Sequence, residues 1–346
     1  MAKPTVAIAL SGGMDSAVAA ALLLEAGYHL TAYYMELPLT DEAEKASQAE
    51  AMASSLSIPF KRIDLRQDFR NQVIAYFTAS YFQGLTPNPC MRCNQHIKFG
   101  LLAQAMWRSG VDAIATGHYV RIVDHGAGPM LARGADPRKD QSYFLARLSQ
   151  QQLQGVLFPL GGWHKSEVRL RARALGLPLP QGESQDVCFL DQELSTFLSA
   201  QGLSATSGDI VSACGKRLGC HQGIWRYTIG QRRGLGLPDS SPWYVAAIDS
   251  KKNQLIVAKQ EALLQETCTV HSLHWIARPP ELPWRGTIQL RSQHRAADAT
   301  LTMSGLDTAK IHFNSPQRAI TPGQFAVFYQ NDLVLGSAII GQDNDV

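Results

Sequence analysis

Apolar residues follow two different rhythms along this 346-residue chain, and the change between them divides it. Up to about residue 200, short apolar runs alternate with longer segments whose apolar positions recur every three or four residues. Val6–Leu10, Leu30–Met35, Phe60–Asp64 and Ile114–Thr116 read as strands, and Ala17–Ala26, Asp41–Leu56 and Asp68–Phe82 as helices. Such alternation predicts a doubly wound α/β domain with a parallel sheet and ligands at the carboxyl ends of its strands. Near Gly202 glycines and short alternating segments take over, among them Trp243–Ile248 and Leu255–Lys259, which predicts a small β-rich domain. A second break falls at the proline-rich segment 278–283. Beyond it Ala299–Met303, Lys310–Phe313, Gln324–Tyr329 and Leu333–Ile340 predict a β-barrel. The expected domains therefore span 1–202, 203–278 and 279–346.

Composition narrows the class. The longest apolar stretches fall short of the ~18 residues a membrane span needs, and no signal peptide is evident, so a cytoplasmic protein without a membrane partner is expected. A net charge of +3 says little about nucleic acid by itself. Its distribution says more: Lys165, Arg169, Arg171 and Arg173 load one helical stretch, and Arg226, Arg232 and Arg233 cluster in a glycine-rich loop. Six cysteines in a cytosolic chain point to metal binding, catalysis or simple burial rather than structural disulfides.

Between the first apolar run and its following helix lies Ser11-Gly12-Gly13-Met14-Asp15-Ser16. Adjacent glycines remove the Cβ atoms that would hold an anion off the backbone, the serines offer hydroxyls, and the helix start offers unpaired N–H groups. The turn suits pyrophosphate. It is neither a Walker loop nor G-x-G-x-x-G, and it resembles the PP-loop of ATP pyrophosphatases, enzymes with an adenine nucleotide alpha hydrolase-like fold that split ATP into AMP and pyrophosphate. A second candidate, Thr116-Gly117-His118-Tyr119, follows a later strand and is expected on the same rim.

The sulfur residues separate by context. Cys90 and Cys93 form a C-x-x-C in the rigid, proline-bearing loop Thr86–Asn94, and Cys188 is the natural third member. Cys214, Cys220 and Cys268 sit in β-like sequence and read as ordinary small residues.

Taken with Thr86-Pro-Asn-Pro89, Cys93-Asn94, Ala115-Thr-Gly-His-Tyr119, Lys139-Asp-Gln-Ser-Tyr-Phe144, Asp186-Val-Cys-Phe189, Tyr227–Gly236, Pro242-Trp-Tyr-Val245 and Pro322-Gly-Gln324, the chain resembles the bacterial tRNA-specific 2-thiouridylases over nearly its whole length. The resemblance implies that Ala9, Leu10, Ser11, Gly12, Gly13, Met14, Asp15, Ser16, Met35 and Gly117 bind ATP, with Asp15 a candidate carboxylate for Mg²⁺. It implies that Cys188 carries a persulfide, that Cys93 is the nucleophile completing sulfur transfer, and that the two end as a disulfide. It implies further that Asn88, Pro89 and Cys90 meet the target uracil, and that His118, Lys139, Asp140, Gln141, Arg291, Ser292 and Gln324 contact tRNA. The partners implied are tRNA and an upstream sulfur-donor protein or sulfide, met transiently by a monomer.

The chemistry is coherent. A uracil C2 carbonyl is a poor electrophile; adenylylation of its oxygen makes a good leaving group, which persulfide sulfur can displace. Both thiols must act as thiolates, and Arg92 or Mg²⁺ is expected to favour this. Two departures stand out. Many family members carry aspartate where this chain has Cys90, which leaves two readings: a third thiol in persulfide chemistry, or one of three ligands, with Cys93 and Cys188, of an iron–sulfur cluster. The connection from Met35 to the helix near Glu44 is also short, where the family often carries an acidic insertion. An amide-forming synthetase, which needs neither Cys93 nor Cys188, is the rival enzyme; an RNA-binding protein with a vestigial loop is the rival without activity.

Overall fold

The computed structural model describes residues 3–126, 128–177 and 187–342. Asp186, part of the cysteine motif, lies outside them.

The strands of the first half are β1 (Thr5–Ala9), β2 (His29–Glu36), β3 (Phe60–Asp64), β4 (Ala113–Ala115), β5 (Val120–Asp124), β6 (Pro129–Arg133) and β7 (Val156–Leu157). Five of them form a parallel sheet in the order β3-β2-β1-β4-β7. Its central strand, β1, buries Val6, Ala7 and Ile8 because helices cover both faces. The helix Met14–Glu25 buries Ala17, Ala19 and Ala20 completely, small side chains that let it lie close to the sheet. The order reverses direction between β1 and β4, so the crevice outside those two carboxyl ends is the place where a ligand fits. The expected doubly wound parallel sheet is thus present, and both expected loops, 10–13 and 116–118, open into that crevice.

The hairpin β5–β6 was not foreseen. It leaves the parallel sheet directly after Tyr119 and joins the C-terminal sheet through Leu333 opposite Ala132. Its start is held by a backbone contact at Gly161, where a Cβ would lie 2.2 Å from Val120 O. Neither backbone can give way cheaply. Gly161→Ala is therefore expected to cost ~1–3 kcal/mol of stability, read as a lowered thermal midpoint in calorimetry; an unchanged midpoint would show that the hairpin can float free of this loop.

The middle of the chain forms β8 (Ser207–Ser212), β9 (Arg217–Gln222), β10 (Tyr244–Asp249) and β11 (Gln254–Ala258), a four-stranded sheet in the order β10-β11-β8-β9 around Ile210, Val245, Leu255 and Val257. The remaining strands are β12 (Leu264–Trp275), β13 (Trp284–Gln289), β14 (Ala297–Met303), β15 (Thr308–Arg318), β16 (Phe325–Gln330) and β17 (Leu333–Ile340). They run β12-β15-β14-β13-β16-β17, and pairing of β12 with β17 closes them into a six-stranded barrel. Its first strand comes from residues upstream of the proline-rich segment 278–283, which lies inside the barrel as a connection.

The α/β domain and the barrel share a polar seam. Tyr143 Oη donates to Phe325 O (3.1 Å), Ser337 Oγ to Ala146 O (3.1 Å), and Gln324 Nε2 to Thr86 O (2.9 Å). Thr86 N donates in turn to Pro322 O (3.0 Å). These bonds tie the rigid loop before Cys90 to the barrel.

Candidate active site

β1 ends at Ala9 and the chain turns through Leu10–Gly13 into the helix Met14–Glu25. Gly13 takes the cap position with extended backbone, and no side chain caps this helix, so its first N–H groups remain available to an anion. Ser16 Oγ donates to Gly13 O (2.9 Å) and accepts from Ser11 N (3.2 Å), while the two serine hydroxyls stand 3.2 Å apart. Here the serines hold the turn in shape. Gly12 has φ +78°, and a Cβ on it would lie 3.1 Å from Ala49 N and 3.3 Å from Lys45 O. Gly117 presses on the loop from β4: a Cβ there would lie 2.9 Å from Ser16 N and 3.0 Å from Asp15 C. The two expected glycine loops therefore touch, backbone against backbone, and leave a cradle that side chains would fill. Leu10 N donates to Tyr33 O, and Met35 lies at the end of the neighbouring strand β2. The uncapped helix start and the bare backbone of this cradle have the donors and the room that an anion needs.

Asp15 is engaged by two groups at one oxygen, for Oδ1 accepts from Tyr119 Oη (2.8 Å) and from Lys165 Nζ (2.5 Å). Lys165 had been read only as one cation on a basic helix, and Tyr119 had no role. What fixes Lys165 is the start of the helix Lys165–Ala174, where Asp136 Oδ2 accepts from Lys165 N and a His164/Glu167 capping box orients the first turn. No sequence spacing links residues 15, 119 and 165. Among the described residues no three His, Cys, Asp or Glu side chains converge as a metal site would require. Asp15 by itself does not form such a group. Cys90, Cys93 and Cys188 likewise do not converge as a cluster ligand set.

Cys93 and Cys188 are both free thiols, the first buried and the second exposed. Burial pushes the Cys93 thiol up to about 12, Lys98 pulls it back, and the charges of Cys188 and Cys90 act against its ionisation. Cys188 is also raised, first by the protein packed around its sulfur, with Lys98 and Lys45 pulling the other way. Lys98 thus opposes the effect of burial at both sulfurs. The cation expected to do this, Arg92, does not; Arg92 lies over the Tyr76 ring, 4.8 Å from its centroid. Lys98 lies in the π-type helical stretch Cys93–Leu102, whose first residue is Cys93. At pH 8, iodoacetamide is expected to label Cys188 far faster than Cys93, whose rate rises about tenfold per pH unit below its pKa. Peptide mass spectrometry reads this directly, and equal rates would contradict the burial argument.

His118 sits between Phe99 and Phe158, with ring centroids at 5.8 and 6.2 Å, and its Nδ1 is 2.8 Å from Thr116 Oγ1. Desolvation first, then Lys98, holds its pKa well below the usual histidine range, so it is neutral at pH 7. The other expected contact residues are mostly committed within the fold. Asn88 caps the helix Pro89–Arg92 by accepting from Met91 N, with Pro89 at its first position and Cys90 half-buried after it. Asp140 pairs with Arg133 (2.9 Å) and accepts from Ser142 Oγ and Gly134 N. Gln141 Oε1 accepts from Tyr119 N, and Lys139 N donates to Asp136 O. Gln289 Nε2 donates to Arg291 O and Ser292 O, and Arg133 also donates to Gln289 Oε1. Arg133 therefore joins segment 139–141 to loop 291–292.

Comparisons with known proteins agree with this geometry. Residues 4–192 match a family model described as a tRNA methyl transferase HUP domain, residues 195–259 the PRC-barrel domain of that name, and residues 265–340 an aminomethyltransferase beta-barrel domain. A tRNA-specific 2-thiouridylase MnmA of Desulfotalea psychrophila is 46% identical over 98% of this chain and 100% of that protein. Its counterpart from Syntrophotalea carbinolica is 45% identical over 96% of this chain and 97% of that protein. A solved 4-thiouridine synthetase–RNA complex with bound ATP overlaps 50% of this chain and 41% of that one at 16% identity and TM-score 0.33, too remote to bear on the argument. With relatives this similar over the whole length, the chain belongs to the tRNA-specific 2-thiouridylases.

Proposed function

We propose that this PP-loop tRNA thiolase works on the wobble uridine in two half-reactions on one rim. In the first, the uracil O2 attacks the α-phosphorus of ATP; pyrophosphate leaves, and an O2-adenylylated uridine remains. The loop Ser11–Ser16 with Gly117 supports this half, since its bare backbone suits the departing phosphates. In the second, Cys188 carries a persulfide received from a donor persulfide, which is left as a thiol. The terminal sulfur attacks C2 and AMP leaves with the oxygen. Cys93 thiolate then attacks the Cys188 sulfur, which frees the thiocarbonyl on the base and joins Cys93 to Cys188 as a disulfide. A thiol reductant reopens it.

The observation that carries this reading is the bare-backbone cradle where Gly117 meets Ser16 and Asp15 beside an uncapped helix start, in a chain that also holds a buried Cys93 and an exposed Cys188. Exposed Cys188 suits receipt of sulfur from another protein, and buried Cys93 suits the step that must avoid stray oxidants. Asn88 to Cys90 would meet the base, and the segments joined by Arg133 would hold the tRNA, in a monomer of the cytoplasm. No helix among the described residues is long and apolar enough to cross a membrane.

The test is to incubate the protein with ATP, Mg²⁺, a persulfide donor and unmodified tRNA, and to digest the RNA for mass spectrometry. Wobble 2-thiouridine with matching AMP and pyrophosphate is the expected product; ATP cleavage that is indifferent to tRNA would overturn the assignment.

A further inference from the structure

Arg92 faces a basic seam between the α/β domain and the barrel that the two half-reactions leave unused. Its Nε is buried without a hydrogen-bond partner, and so is Nε2 of His96, one helical turn further on. Arg147 approaches the same place from another helix end, donating to Ser272 O (2.7 Å) and lying 5.9 Å from the Phe325 ring centroid. Burial first and then Arg92 disfavour the charge on Arg147, and burial, then Arg92 and Arg147, disfavour a charged His96. Asp307, held by Leu273 N, pulls on Arg147 more weakly than Arg92 pushes. The seam thus gathers two guanidinium groups, an imidazole and Tyr76, with Asp307 the carboxylate that acts on Arg147 among the described residues.

We propose that this seam binds a phosphate of the tRNA backbone, close to the uridine being thiolated; the inference rests on tRNA being the substrate. Two neighbouring positive charges and orphaned N–H groups are costly when left alone, and a phosphate oxygen answers both through charge-assisted hydrogen bonds. The position favours RNA over a free anion. Arg92 ends the helix that Asn88 and Pro89 begin, and Phe325 beside Arg147 follows Gln324, whose side chain binds Thr86 O in the same loop. Arg92 thus shares a helix with Pro89 and Cys90, in the segment proposed to meet the base. Tyr76, already stacked under Arg92, adds the aromatic surface that single-stranded RNA uses.

Binding of unmodified tRNA across a salt series tests it. Arg92→Gln and Arg147→Gln are each expected to weaken tRNA binding about tenfold near 0.1 M salt and to lower the slope of log K against log salt by about one. Arg92→Lys is expected to restore most of the slope, because it keeps the charge. Thermal midpoints and ATP affinity should match the wild type; Arg92→Gln removes no hydrogen bond of the fold and so guards against a folding defect in Arg147→Gln. Unchanged tRNA affinity and slope in both glutamine variants, with wild type still binding tRNA, would overturn the seam and leave the thiolase reading intact. Millimolar inorganic phosphate that stabilises wild type but not Arg92→Gln, without any change in the tRNA slope, would assign the seam to a free anion and overturn the RNA proposal. Failure of the wild type itself to bind tRNA would overturn both.

Discussion

Cys93→Ser is expected to stop release of 2-thiouridine, lowering turnover by at least ~10³-fold, the scale seen when an essential nucleophile is removed. The defect should fall on one step. Adenylylation uses the PP-loop and not this sulfur, so a first round of tRNA-dependent AMP formation should survive. A persulfide on Cys188 can still displace AMP, which would leave the base joined to the enzyme as a C2–S–S–Cys188 adduct. Such a conjugate should appear on a denaturing gel and vanish with a thiol reductant. Cys188→Ser should lose turnover equally and form no conjugate, since the sulfur carrier is gone. Full turnover in both variants would sink the sulfur-transfer reading and favour the amide-forming rival. Cys90→Ser refines the picture: retention of the conjugate in a Cys90/Cys93 double variant would show that Cys90 is not needed for the displacement of AMP.

Gly117→Ala should weaken ATP binding ~10- to 100-fold, because the new methyl group meets backbone atoms of Asp15 and Ser16 at about 3 Å rather than flexible side-chain ends. Only movement of the loop can relieve that contact, and the loop is held by the Ser11–Ser16 pair and by Tyr119 and Lys165 on Asp15. Calorimetric titration with a non-hydrolysable ATP analogue measures the change. Gly161→Ala is the matched control, since it strains the hairpin start and not the nucleotide cradle. An affinity for the analogue equal to that of wild type would show that Gly117 does not shape the cradle.

How much could be read before the fold was known depends on the kind of signal each residue carries. Val6–Leu10 and Ser11–Ser16 are contiguous, so apolar run, glycine pair and helix start appear together in one stretch of chain. Phe60–Asp64 and Leu333–Ile340 were placed to the residue because turn signals bound them. The hairpin Val120–Arg133 was missed because its strands belong to a sheet built mostly two hundred residues later. Lys98 was passed over for Arg92 because adjacency in sequence stood in for proximity in space. Asp140 and Gln324 were expected only as RNA contacts, and nothing local says that the first carries an ion pair with Arg133 or that the second bridges the seam to Thr86.

The sequence by itself determined the doubly wound sheet, the anion-ready turn after its first strand and the presence of three thiols in rigid or motif-bearing segments. These follow from short-range rules: side-chain period, glycine freedom and proline restraint act within a few residues. Only the tertiary structure decided that Gly117 meets Ser16, that burial raises the Cys93 and Cys188 thiols with Lys98 rather than Arg92 opposing it, and that Lys165 and Tyr119 share Asp15. Those are contacts between residues far apart in the chain, where burial and electrostatics depend on distance through space, which the order of residues along the backbone does not encode locally.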